Sequence, residues 1–213
     1  MPNIMTILDF VSNLIFHVDT VLIALINTYG QWVDLFAFLI VFCETGLVVF
    51  PFLPGDSLIF IAGALSGQGT LNLGVMFAVF TSAAILGDAV NYSIGYYIAP
   101  RMSRFLKKEY LDIARDFYVR HGKATIFLAR FVPIVRTFAP FLAGIGKMRY
   151  REFVVYNVLG GLTWVAIFII GGYFFGGIPL VRDNLSLSLI AIIIISLVPT
   201  AIKLLEVFGK NRR

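Results

Sequence analysis

Long apolar blocks alternate with short polar breaks along nearly the whole chain. The first block, within residues 1–30, contains Asp9, His17 and Asp19. It either spans a membrane or lies in the interface as an amphipathic helix. The second, within 31–70, is apolar around Glu44, breaks at Pro51-Phe-Leu-Pro54-Gly55 and resumes from Asp56 to Ser66. As a helix the resumed part rises only about 20 Å, short of a hydrocarbon core of about 30 Å. Residues 71–99 are long enough to span with tilt and carry Asp88 and Asn91. Residues 100–123 are polar and basic. Phe105, Tyr110, Ile113, Phe117 and Tyr118 recur there at loosely helical spacing, which predicts an amphipathic helix on the cytoplasmic surface. The block 124–146 is interrupted by Arg130, Pro133, Arg136 and Pro140. Residues 152–177 and 185–205 span again, and 206–213 form a basic tail.

Composition agrees with lipid as the main solvent. Of 213 residues, 59% are hydrophobic and 14% charged, and the mean hydropathy is +0.90. A soluble domain carries about a quarter charged residues. The single cysteine, Cys43, excludes an internal disulfide framework. The first thirty residues hold no Lys or Arg, so no secretory signal peptide is expected.

The net charge of +5 matters less than its distribution. All 17 Lys and Arg lie at or after Arg101. They cluster in short loops between apolar blocks, which fits retention in the cytoplasm better than nucleic-acid binding. The clusters at 101–123, 147–151 and 203–213 are then cytoplasmic, and so is the C-terminus. Both ends of 124–146 fall on one side, so this block enters and returns. Its two prolines favour a break, since Pro removes a helical hydrogen bond and crowds the preceding turn. By the same logic 31–70 is a hairpin from the outer side. Ala62-Gly63 echoes Ala143-Gly144, and Gly95-Tyr96-Tyr97 echoes Gly172-Tyr173-Phe174. The expected fold is an all-α polytopic membrane domain. It has two oppositely oriented re-entrant helical hairpins plus transmembrane helices, related as an inverted repeat.

Each hairpin carries two charges near its break: Glu44 and Asp56 in the first, Arg130 and Arg136 in the second. A charge at the bilayer centre costs about 2.5–3.5 kcal/mol on insertion scales. Four unpaired charges would cost about 10 kcal/mol, comparable to the stability of a whole domain. They must therefore face one another or water. Ion pairs that merely hold the hairpins together are one reading. Buried pairs stabilise less well than apolar packing, however, and two arginines suit a phosphate, which they grip with paired hydrogen bonds. Helices starting near Asp56-Ser57 and near Thr137 would add free N–H groups to such an anion site. Glu44 and Asp56 would then pair with the arginines or take up protons. Asp88 and Asn91 either line the same cavity or bond a neighbouring helix. Asn157 and Trp164 are assigned to packing or the interface. His17 and His121 are too far apart, with Cys43 isolated, for metal-ligand spacing, and no nucleophile set or phosphate loop is present.

Phe42-Cys-Glu44-Thr-Gly46, Phe52-Leu-Pro-Gly-Asp56-Ser57, and Phe127-Leu-Ala-Arg130 through Arg136-Thr137 to Ala143-Gly144 resemble the bacterial DedA family of membrane proteins. Tyr150 to Trp164, with Asn157 and Gly160, extends the resemblance. It implies the double-hairpin fold, shared with eukaryotic lipid-scrambling relatives, and a bacterial inner-membrane location. It also implies dependence on the proton motive force and return of undecaprenyl phosphate across the membrane for envelope synthesis. The family's essential acids and arginines fall at Glu44, Asp56, Arg130 and Arg136. The expectation is a non-enzymatic lipid flippase. Arg130 and Arg136 bind phosphate, Glu44 and Asp56 couple protons, and no cofactor or metal takes part. Its partners are the anionic lipid, protons and the bilayer, and assembly of copies stays open. Rival readings are a proton-coupled small-ion transporter, a broad lipid scramblase and a structural membrane protein.

Overall fold

The structure, a computed structural model, describes residues 30–47, 55–97, 124–175 and 178. Among these, six α-helices follow a single 3-10 turn, and there is no strand. The expected helix over 1–30 and the elements at 100–123, 185–205 and 206–213 lie outside the described residues, as does the Pro51–Pro54 break.

Helix α1, Val33–Gly46, ends where Leu47 turns to extended backbone. Helix α2, Gly55–Gly67, is apolar and buried almost all round, as a short helix must be when neighbours cover every face. Helix α3, Leu73–Tyr97, follows. Helix α4, Thr125–Ala129, stops at Arg130, and helix α5 runs Pro133–Ile145. Helix α6, Tyr150–Phe175, closes the described chain.

The break in 124–146 lies at 130–132. Val132 takes an extended conformation, the preference of a residue before proline, and Pro133 occupies the first turn of α5, where its missing N–H costs nothing. Pro140 does not contribute to the break as expected. It sits inside α5, which continues through it to Ile145. Nor does that helix begin near Thr137: its first turn lies four residues earlier, at Pro133.

Helices α3 and α6 are long and apolar enough to cross a membrane. Their outward faces are apolar too: Leu86 and Val90 on α3, and Val155, Leu159 and Ile167 on α6, are exposed. Helices α2 and α5, of 13 residues each, rise only about 20 Å.

The packing is crosswise. Helix α2 of the first half lies along α6 of the second, and α5 of the second lies along α3 of the first. At the first crossing Gly63 abuts the Ile169 carbonyl while Gly172 abuts the Phe60 carbonyl. At the second, Gly95 abuts the Phe141 carbonyl while Gly144 abuts the Tyr92 carbonyl. These are the residues of the two sequence echoes, and a side chain at any of them would strike backbone. One buried cluster gathers Leu58, Phe80, Val165 and Ile169 around Trp164. The other joins Tyr92, Ile126, Ala139 and Phe153, with the Tyr92 and Phe153 rings stacked at 4.5 Å.

Helix α5 ends in a Schellman motif. Met148 N–H donates to the Ala143 carbonyl and Lys147 N–H to the Gly144 carbonyl, both at 3.0 Å. Lys147 takes the left-handed position, φ +53°, where a side chain costs about 1 kcal/mol more than glycine.

Candidate functional site

Five of the six helices and the turn after α4 send polar side chains to one buried centre. Glu44 comes from the last turn of α1 and Asp56 from the first turn of α2, where a carboxylate also favours the helix N-terminus. Asp88 and Asn91 come from the middle of α3, and Arg130 from the turn after α4. Arg136 and Thr137 come from α5, and Asn157 and Trp164 from α6.

The charges divide into two clusters. Arg136 donates through Nη2 to Glu44 Oε1 and through Nη1 to Asp56 Oδ1, each at 2.5 Å. It therefore clamps the end of α1 to the start of α2. Trp164 Nε1 donates to the same Asp56 oxygen at 2.9 Å. Arg130 forms the second cluster: its Nη2 donates to Asp88 Oδ2 and, at 2.6 Å, to Asn157 Oδ1. Asn157 is held in turn by donating to the Ile85 carbonyl at 3.0 Å. The Trp164 ring joins the two clusters, with the Arg136 guanidinium carbon 5.0 Å and that of Arg130 5.7 Å from its centroid.

The pairing differs from the one the sequence suggests. Glu44 and Asp56 do not share both arginines; Arg136 takes both acids, and Arg130 takes Asp88. The reason is local. Arg130 lies on the turn that packs against α3 and α6, whereas Arg136, in the first turns of α5, faces the junction of α1 and α2. Asp88 is thus a charge partner of Arg130 as well as a wall of the centre.

Asn91, fully buried, bridges the halves. Its Nδ2 donates to the Thr45 carbonyl at 3.0 Å and to the Thr137 carbonyl at 2.8 Å, and its Oδ1 has no partner. Asn157 and Trp164 are not mere packing residues, because both bond the charges directly. A signal for them existed: 157, 160, 161 and 164 share one face of α6, and the small Gly160 leaves room for Arg130.

Between the clusters lies a void of about 10 Å³, walled by Glu44, Asp88, Arg130, Arg136, Thr137 and Trp164 among others. That is room for about one water. Glu44 Oε2 is buried here without a hydrogen-bond partner. Gly55 abuts the same carboxylate, and a Cβ there would overlap it. Among the described residues, no group of His, Cys, Asp and Glu could hold a metal ion.

The VTT domain family matches residues 53–174. Protein DedA of Escherichia coli is 51% identical over 209 residues, 95% of each chain. An uncharacterized membrane protein of Mycobacterium tuberculosis is 42% identical over 181 residues, 82% of this chain and 79% of that one. Inner membrane protein YghB of Escherichia coli is 36% identical over 152 residues, 69% of each. No solved structure matches the chain.

Proposed function

Because the chain belongs to the DedA family of VTT-domain membrane proteins, we propose that it is a non-enzymatic carrier of a lipid with an anionic phosphate head group in the bacterial inner membrane. The fitting substrate is undecaprenyl phosphate. The observation that carries this reading is Arg136 held by two carboxylates from different helices beside a void for one water. A phosphate offers an arginine the same paired acceptors as those carboxylates. A single phosphate can therefore supply both acceptors in their place, while its apolar tail stays in lipid.

Three acids face two arginines in the centre, an excess of one negative charge when all are ionised. A phosphate cannot enter without adding to that excess. Protons taken up by Glu44 and Asp56 as they release Arg136 would balance it, and the unbonded oxygen of Glu44 offers a site for the first. Proton uptake and anion binding are thereby coupled, which links the cycle to the proton motive force. Rocking of two oppositely inserted re-entrant hairpins would expose the centre to each side in turn. The crosswise glycine contacts, reciprocal between the halves, favour that inverted-repeat reading.

The test is reconstitution in liposomes with undecaprenyl phosphate, with and without a pH gradient. Saturable movement that responds to the gradient and is lost in Arg136→Gln supports the carrier. Movement of lipids regardless of head group points to a scramblase, and no movement by a folded protein overturns the reading. The small void favours a second reading, proton-coupled movement of a small ion. Flux in vesicles free of polyprenyl lipid would favour that one.

A further inference from the structure

A second, larger cavity lies along α3 beyond the charged centre. It has a volume of about 460 Å³ and is lined by Tyr92, Tyr96, Tyr97, Tyr150, Lys147 and Arg149, among others. Tyr96 is eight residues past Asp88, about 12 Å along the helix, so the cleft is separate from the Arg136 site.

Four features point to its occupant. Two cations, Lys147 and Arg149, line it, and Glu152, in the first turn of α6, lies 4.0 Å from an Arg149 side chain that is 86% exposed. Helix α6 begins at Tyr150, and the first N–H groups of a helix favour an anion. Lys147 keeps a left-handed backbone that glycine would adopt freely, so a cation is held at this spot against a conformational cost. Tyr92 fixes the turn that carries it, donating its hydroxyl to the Met148 carbonyl at 2.5 Å.

Tyrosine rings suit the membrane–water boundary, with an apolar body and a polar tip. Leu86, Val90 and Tyr97 are all exposed and follow one stripe of α3 that leads to the cleft. That stripe gives an acyl chain a path, which selects a lipid over a soluble anion. We propose that the cleft binds the phosphate head group of an anionic membrane phospholipid, at a site separate from the carrier centre. The inference needs the membrane placement of α3 and α6 and does not rest on transport.

The test uses the full chain in phosphatidylcholine nanodiscs containing photoactivatable phosphatidic acid, with labelled peptides mapped. Labelling is expected at Tyr96-Tyr97 and around Tyr150. Each of Lys147→Gly and Arg149→Gln lowers it about fivefold, the effect of one cation near an anionic surface. Lys147→Arg retains it. Lys147→Gly raises the thermal midpoint by about 2–4 °C, so its loss of labelling cannot come from misfolding. Unchanged labelling in both cation variants, or equal labelling by photoactivatable phosphatidylcholine, overturns the site. Loss of labelling to excess inorganic phosphate overturns the lipid assignment in favour of a soluble anion.

Discussion

The indole N–H of Trp164 and the carboxylate of Asp56, 108 residues apart in sequence, meet at 2.9 Å. The same ring carries both guanidinium groups on its surface. Trp164→Phe removes the hydrogen bond and keeps a ring. It is expected to cost about 1.5–3 kcal/mol, the loss of a bond to a charged acceptor. Trp164→Ala also empties a buried volume and should cost about 3–5 kcal/mol. Thermal unfolding in detergent checks both, and equal midpoints for the two variants would remove the ring from any role in holding the arginines.

Arg136→Gln leaves the buried Glu44 carboxylate and the half-buried Asp56 carboxylate without their cation. Breaking a buried pair in this way costs about 3–5 kcal/mol. The triple variant Glu44→Gln, Asp56→Asn, Arg136→Met removes every charge of this cluster and should regain much of that stability while still failing to move lipid. Unfolding midpoints beside a flipping assay separate the two effects. Full transport by the neutral variant would leave the cluster a purely structural role.

The pairing of Arg130 with Asp88 is open to a double-mutant cycle. Asp88→Asn and Arg130→Gln together should cost less than the sum of the single changes, by about 1–3 kcal/mol. Glu44→Gln with Arg130→Gln should add more nearly, because those residues share no hydrogen bond. Additivity in the first cycle would count against the Arg130–Asp88 pair.

Gly55→Ala sets a methyl group into the space of the Glu44 carboxylate. Overpacking of this kind costs about 1–3 kcal/mol. Glu44 should leave Arg136, and transport should fall as far as in Glu44→Gln. Unimpaired transport by Gly55→Ala would mean that Glu44 works away from Arg136.

What the sequence revealed, and what it hid, follows from the range of each interaction. Glu44, Asp56, Arg130 and Arg136 stand out because an ionised group in an apolar block is costly wherever its partner lies. The partners themselves could not be read. Arg130 meets Asp88 across 42 positions and Arg136 meets Glu44 across 92, distances set by how four helices cross. Helices α2, α3 and α6 are legible from apolar length and glycine punctuation. The position of the break within 124–146 is not, because prolines at 133 and 140 look equivalent in sequence. Only the first falls where a helix begins. Asn157 and Trp164 read as packing residues in the sequence, since amides and indoles within a span commonly serve packing. Their shared face with Gly160 was the clue.

The one-water void between the arginines also bears on the membrane's electrical integrity. Protons hop, and small ions drift, along continuous files of water, and a space of about 10 Å³ breaks any such file at this point. Charged and polar side chains can thus be stored inside a membrane without short-circuiting it. In the proposed carrier, this break insulates the driving gradient between turnovers.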